Sequence, residues 1–286
     1  MEDNKNAWWS RQIVAADIYD CFSLKAASKT GYEAVYLSAD AVAECVCGLP
    51  DTEQMSAEEL LWAAKRVFAF SEVPVIADIR IGLGNSTESA ARLAGRMAKA
   101  GAKAVWINDV LSDKEERMIK SEEWKRRVWK VHEAIAMYPC ILICTTGTRT
   151  QGMEHAMERC SQAASCGADI VGIEGMDLAE EARRLSEAVK APKVWTEWNA
   201  DHVTVQELED LGFSLVMDCH SVKGALEGMQ LFGERTMADG NTVYHDEHDY
   251  DGMLPTRSYY DLFEFYKEWI PLERGFMETA GKVVKG

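Results

Sequence analysis

The chain has 286 residues, of which 47% are hydrophobic, and carries a formal net charge of −16 from 31 basic and 47 acidic residues. This length fits one large domain with a modest extension, and the acidic balance argues against nucleic acids and anionic membranes as partners, because their phosphates would be repelled. Residues 1–6 are polar and lack the apolar core of a signal peptide, and no run approaches the roughly 18 apolar residues that span a membrane, so we expect a cytoplasmic protein.

Eight short apolar runs recur along the chain, and nearly every one ends in a polar residue. They span residues 14–20, 34–38, 73–78, 104–109, 140–146, 169–174, 193–197 and 214–218. Continuous apolar runs are typical of strands that are buried on both faces of a parallel sheet. Because helical patterns lie between them, they predict an α/β fold of the (β/α)₈ TIM-barrel type, in which the carboxyl ends of the strands form the active site.

Helices are predicted between these strands from apolar periodicity and from cap residues such as Ser56 and Gly31. They span residues 20–31, 56–70, 86–99, 121–137, 153–165, 178–189 and 204–210. We assign residues 1–231 to the barrel and residues 232–286 to a C-terminal arm and helix, with a loop or arm over 233–258. The aromatic segment at residues 259–269 predicts an oligomer contact; the alternative is a helix that covers the end of its own barrel.

Four ordered motifs lie at or beside the predicted strand ends. They read Tyr19-Asp20, Tyr36-Leu37-Ser38-Ala39, Gly48-Leu49-Pro50-Asp51, and a run from Pro74 to Asn85 that contains Ala77-Asp78-Ile79-Arg80-Ile81-Gly82-Leu83-Gly84-Asn85. Over about residues 12–230 the chain resembles the isocitrate lyase/phosphoenolpyruvate mutase superfamily, whose members typically read Y-D, V-S-G, G-x-P-D and P-V-I-A-D-x-D-x-G-x-G-N in this order.

The resemblance implies a (β/α)₈ barrel with a C-terminal helical extension, often assembled as a homotetramer by exchange of C-terminal helices; we expect a dimer or tetramer here. It also implies chemistry that makes or breaks a C–C or P–C bond next to a carboxylate or 2-oxo group of a small anionic substrate. In that chemistry Mg²⁺ and an Arg hold the oxyacid and stabilise an enolate-like intermediate.

The departures from the family pattern lie where the chemistry is expected. Arg80 stands in place of the second acid of D-x-D, and Asn108-Asp109 stands in place of E-D after the fourth strand. The loop that carries the general acid/base Cys in the lyases is replaced by a shorter charged segment at residues 111–117. Residues 144–147, Cys-Thr-Thr-Gly, replace a motif that contains a substrate-binding Arg.

These departures bear directly on whether a metal ion binds. Asp51 and Asp78 are the acids that remain of the matched set and would be the ligands of a bound Mg²⁺, but a permanent cation at Arg80 would repel that ion. We therefore predict that Arg80 replaces either the metal or the lost Arg as the anion-binding cation, so that the protein uses Mg²⁺ or no metal. The alternative is a structural ion pair of Arg80 with Asp78 or Asp109.

The candidate site residues fall into two groups. The predicted substrate-binding residues are Ser38, Ala39, Asp78, Arg80, Gly82, Asn85 and Thr145, and the predicted proton-handling residues are Tyr19, Asp109 and Glu174. Two alternatives stay open: Ser38 caps the turn that follows its strand, and Glu174 is a buried structural acid.

Two functions follow from this pattern. The first is a divergent carbon–carbon lyase or phosphonomutase-like enzyme that cleaves or rearranges a small oxyacid without the Cys loop; a hydrolase or decarboxylase using the same anion pocket is a variant of it. The second is a non-catalytic barrel that binds a small anionic ligand or a partner subunit.

Overall fold

The structure is a computed structural model that describes residues 8–84, 86–112, 117–147, 151–176, 179–196 and 203–240. Contacts divide the chain into two compact units, Met1–Leu226 and Glu227–Gly286. The predicted domain boundary after residue 231 stays a prediction, and the aromatic segment at residues 259–269 lies outside the described residues.

Among the described residues of the first unit, eight parallel strands close into a barrel. They are β1 (Ile13–Ile18), β2 (Ala34–Leu37), β3 (Val75–Asp78), β4 (Ala104–Asn108), β7 (Ile141–Thr146), β8 (Ile170–Ile173), β9 (Lys193–Trp195) and β10 (Phe213–Asp218), while β5 (Val110–Ser112) and β6 (Arg117–Met118) form a separate antiparallel hairpin. The strands follow one another around the barrel in chain order, and β10 closes the ring by pairing Asp218 with Ala16 of β1. The predicted (β/α)₈ barrel is thus confirmed.

Helices occupy most connections between the strands. They are α1 (Cys21–Thr30), α2 (Ala39–Ala41), α3 (Ala57–Phe70), α4 (Thr87–Ala100), α5 (Ser121–Ile135), α6 (Met153–Ser165), α7 (Ala179–Ala188), α8 (Val205–Asp210) and α9 (Ser221–Asp239), with a π-helix at Val42–Val46 and a 3₁₀ helix at Thr52–Gln54. No described helix is both long enough and apolar enough to cross a lipid bilayer.

Local sequence explains where the helices begin and end. The helix α3 begins after Ser56, whose hydroxyl accepts from the Glu59 amide while the Glu59 carboxylate accepts from Ser56 in return. The helix α1 ends at Gly31, which takes a left-handed conformation with φ of 93° that glycine adopts without steric cost. The predicted helix bounds agree with the structure to within a few residues.

Three segments differ from the predictions. The first strand ends at Ile18, because Asp20 turns out of the sheet to cap α1 and accepts from the Ser23 amide. The hairpin β5–β6 was not predicted, since its strands are too short to show alternation. The helix α9 was also not predicted, and its described residues 233–239 are helical where a loop or arm was expected.

Alternation along the strands creates two apolar clusters, one between the barrel and its helices and one inside the barrel. The inner cluster consists of Ile13, Ala15, Ala34, Ile76, Ala104, Trp106, Ile141, Ile143, Ile170, Val194, Leu215 and Met217. Because successive side chains of a strand point to opposite faces, the next inward positions toward the carboxyl ends are polar. They are Asp17, Tyr36, Asp78, Asn108, Thr145, Glu174, Thr196 and Cys219, which we call the mouth layer.

Candidate active site

Asp78 is the most extensively bonded carboxylate of the mouth layer. Its Oδ2 accepts from the Tyr36 hydroxyl at 2.8 Å and from the Ala39 amide at 3.2 Å, and its Oδ1 accepts from the Arg80 amide at 2.8 Å. Burial raises the pKa of Asp78 to about 6, while the Arg80 charge and these hydrogen bonds act in the opposite direction. Asp78 therefore joins the ends of β2 and β3 and titrates near neutral pH.

Arg80 brings a permanent positive charge to the same place. Its backbone has a φ of 50°, uncommon for a residue other than glycine, and its carbonyl accepts from the Asn108 amide at 3.2 Å. The side chain is 16% exposed, and Nη1 lies 3.5 Å from Oδ2 of Asp40, whose side chain is 45% exposed. Arg80 therefore follows Asp78 at the end of β3 and forms an ion pair with Asp40.

Glu174 follows directly after β8 and belongs to the same mouth layer. Its Oε1 accepts from the Thr145 hydroxyl at 2.5 Å and, through a long contact of 3.5 Å, from Nδ2 of Asn108. The Thr145 oxygen in turn accepts from Nε1 of Trp106 at 2.7 Å. Burial raises the pKa of Glu174, and the strongest opposing influence is the charge of Arg80. Glu174 is consequently a partly buried carboxyl that holds a proton more readily than a fully exposed one.

Two buried polar atoms beside this cluster have no hydrogen-bond partner in the part of the chain that is described. They are Oδ1 of Asn108 and Oγ1 of Thr196. Buried polar atoms are normally bonded, so a ligand or water in the mouth would satisfy them. The rings of Tyr36 and Trp106, with centroids 4.9 Å apart, form an aromatic wall next to them.

Asp109, a predicted proton-handling residue, lies outside this layer. It follows Asn108 and therefore points to the opposite face, toward α6, where it is fully buried. Its carboxylate forms an ion pair with Nε of Arg159 and accepts from the Thr146 hydroxyl at 2.7 Å and the Gly147 amide at 3.2 Å. This surrounding is typical of a structural ion pair.

Tyr19 is also placed apart from the mouth layer. It is partly exposed and packs against the outer apolar cluster, and its pKa is raised by partial burial and then by the nearby Asp20 carboxylate. A raised pKa makes the phenol a weaker acid and disfavours its phenolate form, so this surrounding favours Glu174 over Tyr19 for proton transfer.

Three other predicted substrate-binding residues, Ser38, Ala39 and Gly82, form hydrogen bonds within the protein that involve backbone amides. Ser38 caps α2 by accepting from the Ala41 amide at 3.2 Å, as the alternative interpretation expected, and the Ala39 amide donates to Asp78. The Gly82 amide donates to the Ile79 carbonyl at 2.8 Å. Asn85 lies outside the described residues.

The two acids predicted as metal ligands occupy different environments. Asp51 caps the 3₁₀ helix by accepting from the Glu53 amide at 3.0 Å, whereas Asp78 is bonded within the mouth layer. In the described ranges, no group of three or more His, Cys, Asp or Glu side chains is arranged to hold a metal ion.

The structure thus brings together Asp78, Arg80, Thr145 and Glu174, and it adds three residues that sequence reasoning did not assign to the site: Asp40, Asn108 and Thr196. Strand alternation could have identified Asn108 and Thr196, because each lies two residues after a side chain of the inner cluster and so points into the barrel. Nothing in the local sequence marks Asp40, because its contact with Arg80 joins α2 to the turn after β3, which are distant in sequence.

Comparisons with known proteins agree with this architecture. A family model described as phosphoenolpyruvate phosphomutase matches residues 9–230. The 2-methylisocitrate lyase of Halalkalibacterium halodurans is 29% identical over 208 residues, which cover 70% of this chain and 68% of that protein.

Solved structures share the fold. A phosphoenolpyruvate phosphomutase from Streptomyces platensis subsp. rosaceus superposes with a TM-score of 0.84 at 19% identity and covers 96% of this chain and 99% of its own. An oxaloacetate acetylhydrolase in complex with its product oxalate superposes with a TM-score of 0.81 at 20% identity and covers 93% of each chain. At these identities the likeness to solved structures concerns the fold alone.

Proposed function

The chain belongs to the isocitrate lyase/phosphoenolpyruvate mutase superfamily, and from this premise we propose that it cleaves or rearranges a C–C or P–C bond of a small oxyacid. The bond lies next to a carboxylate or 2-oxo group. One observation supports this proposal above the others: the partly buried carboxyl of Glu174 is bonded to Thr145 in the mouth layer, close enough to Arg80 for the guanidinium charge to oppose the rise of its pKa.

The chemistry needs a cation where negative charge develops. Breaking a bond next to a carboxylate or oxo group leaves an electron pair on carbon that delocalises onto oxygen as an enolate. A preorganised positive charge stabilises that oxygen, and Arg80 is placed to bind the carboxylate bidentately. Asp78 would hold the backbone of Arg80 in position by accepting from its amide, and Tyr36 would orient Asp78 by donating to the carboxylate.

The enolate must then be protonated, or a hydroxyl proton must be removed before cleavage. Glu174 suits this role because its carboxyl lies in the mouth layer, bonded to Thr145 and Asn108, and because burial raises its pKa. A substrate carboxylate that enters the mouth layer opposes ionisation of Glu174 further, so binding should take up a proton. We assign proton transfer to Glu174 rather than to Tyr19 or Asp109, whose surroundings favour supporting roles.

A second function, a non-catalytic barrel that binds a small anion, is favoured by one observation. Both oxygens of Asp78 already accept from protein donors, which is sufficient reason for an acid at this position without any chemistry. Partner subunits and the number of subunits stay predictions.

The experiment that separates the two functions measures thermal unfolding across a panel of 2-oxo acids, dicarboxylates and phosphonates. A ligand at a hundredfold excess over its Kd stabilises the protein by about 2.7 kcal/mol, which for a domain of this size raises the Tm by about 5–11 °C. Stabilising compounds are then followed for turnover by NMR.

Glu174→Gln should retain ligand binding while turnover falls by about 10²–10⁴-fold, the range typical of a lost acid or base. Glu154→Gln, which alters an exposed glutamate paired with Arg184, is the control and should leave turnover unchanged. Stabilisation without turnover would support the binding barrel, and the absence of any stabilising compound would contradict both functions.

A further inference from the structure

The superfamily resemblance implies Mg²⁺, and the residues of this chain can be tested against that ion. Mg²⁺ requires near-octahedral oxygen ligands at about 2.0–2.1 Å. A metal on Asp78 would compete with the Tyr36 hydroxyl and the Ala39 amide for Oδ2, and a buried donor that loses its acceptor costs about 1–3 kcal/mol. Asp51 is engaged in capping the 3₁₀ helix. The described residues therefore do not fit a divalent ion.

A cation is nevertheless built into this position. The Arg80 amide is held by Asp78 and the Arg80 carbonyl by Asn108, so the residue is fixed at both its amide and its carbonyl. Its backbone adopts a left-handed conformation that costs about 1–2 kcal/mol for a residue with a Cβ. Strained backbone that is held in place by its surroundings is often found at functional sites.

The contact between Arg80 and Asp40 is of a kind that a ligand can replace. Asp40 is 45% exposed, and 3.5 Å is a loose distance for an ion pair. Ion pairs with a solvated partner contribute about 0–1 kcal/mol. A ligand carboxylate that binds both arms of the guanidinium would exchange this loose pair for a bidentate, charge-assisted one.

We propose that the guanidinium of Arg80 replaces a divalent metal ion in this site and binds a carboxylate of the ligand directly, with Asp40 as the group that the ligand displaces. This inference rests on the proposed function for one point, namely that the ligand is a small oxyacid. In this arrangement Asp40 competes with the ligand for Arg80 and so lowers the affinity, and it has no catalytic role.

The test uses the full-length protein and oxalate, a small dicarboxylate, as the probe. Oxalate binding is measured by calorimetry and by thermal unfolding, once with excess EDTA and once with excess MgCl₂. The expected result is the same affinity in both buffers when it is calculated from the concentration of free oxalate, because Mg²⁺ in solution also binds oxalate. Arg80→Asn should weaken oxalate binding by about 10–100-fold, which corresponds to about 1.4–2.8 kcal/mol, while Asp40→Asn should strengthen it severalfold.

Asn is chosen at position 80 because it tolerates the left-handed conformation, so the variant should fold as the wild type does. Arg96→Asn is the matched control: it removes a guanidinium that pairs with Glu58 on the helix surface and should leave oxalate binding unchanged. Circular dichroism of each variant establishes that its secondary structure is intact.

Three results would overturn the inference: oxalate binding that disappears in EDTA, micromolar binding of Mg²⁺ or Mn²⁺ to the wild type, or no oxalate binding in either buffer. Failure of the proposed function would look different. Arg80-dependent binding in EDTA without turnover of any oxyacid would support the role of Arg80 and contradict the proposed enzymatic function. Mg²⁺-dependent turnover would support the enzymatic function and contradict the replacement of the metal by Arg80.

Discussion

The buried ion pair between Asp109 and Arg159 offers a quantitative test of how this barrel is built. The two side chains are 0% and 2% exposed, and the guanidinium carbon of Arg159 lies 5.8 Å from the ring centroid of Trp124. Removal of one partner from such a pair leaves an uncompensated buried charge and typically costs 3–5 kcal/mol. Of its partners among the described residues, the Asp109 carboxylate would retain the Thr146 hydroxyl and the Gly147 amide.

Arg159→Met is the informative change, because methionine replaces the aliphatic stem and removes the charge. A loss of about 3–5 kcal/mol lowers the Tm of a domain of this size by roughly 6–20 °C. Arg96→Met removes a cation whose pair with Glu58 is largely exposed, and it should cost about 0–1 kcal/mol. Urea and thermal unfolding, followed by circular dichroism, measure both variants.

A double-mutant cycle then isolates the pair itself. Within the described part of the chain, Nη2 of Arg159 is buried without a hydrogen-bond partner, so the guanidinium bears a desolvation cost that the pair offsets in part. Arg159→Met combined with Asp109→Asn should therefore cost clearly less than the sum of the single changes. If Arg159→Met costs no more than Arg96→Met, Asp109 is not held by Arg159, and our reason for assigning proton transfer to Glu174 rather than Asp109 is lost.

Two further changes test the mouth and the turn behind it. Because burial raises the pKa of Asp78 from an ordinary 3.8 to about 6, the folded protein binds the extra proton between these values, and the stability that Asp78 contributes is lost as the pH rises through that window. The unfolding free energy of the wild type relative to Asp78→Asn should thus fall by about 2 kcal/mol from pH 3.8 to pH 6, and a pH-independent difference in urea unfolding would contradict this. Gly82→Ala places a Cβ 2.3 Å from Cβ of Ala90 at a φ of 107° and should lower the free energy of unfolding by about 2–5 kcal/mol. Gly31→Ala, with open space around its Cβ, should lower it by only about 1–2 kcal/mol. Equal losses of stability in thermal unfolding would show that the contact of Gly82 with α4 is unimportant.

The barrel was predictable because strands buried on both faces leave continuous apolar runs in the sequence. The same physics explains what was not predicted. The helix α9 contains Gly224, Gly228 and Gly233, each of which weakens a helical pattern by about 1 kcal/mol relative to Ala. The hairpin β5–β6 is too short to show a period of two residues.

The candidate site was predictable in part, because polar residues at strand ends are visible in the sequence while the direction of each side chain is not. Asp109 and Asn108 are neighbours in sequence, yet one points to α6 and the other into the barrel. The carboxylate of Asp109 is the more common proton-transfer group, so chemistry alone predicts Asp109 as the site residue. Strand alternation instead places Asn108 inside the barrel. The contact between Arg80 and Asp40 joins the turn after β3 to α2, and no local pattern encodes it.

The turn between β3 and α4 explains how a strained arginine is kept in place. Among the described residues, the non-glycine residues with positive φ are Arg80 and Leu83, and both lie in this turn. Gly82, between them, approaches Ala90 so closely that no side chain fits there, so the start of α4 fixes the path of the turn. The strain at Arg80 is therefore stabilised by packing on the outer side of the barrel, while its guanidinium lies at the mouth. A cation that is positioned by the fold in this way needs little reorganisation when charge develops on a ligand, and that is the property required of a group that stabilises an enolate.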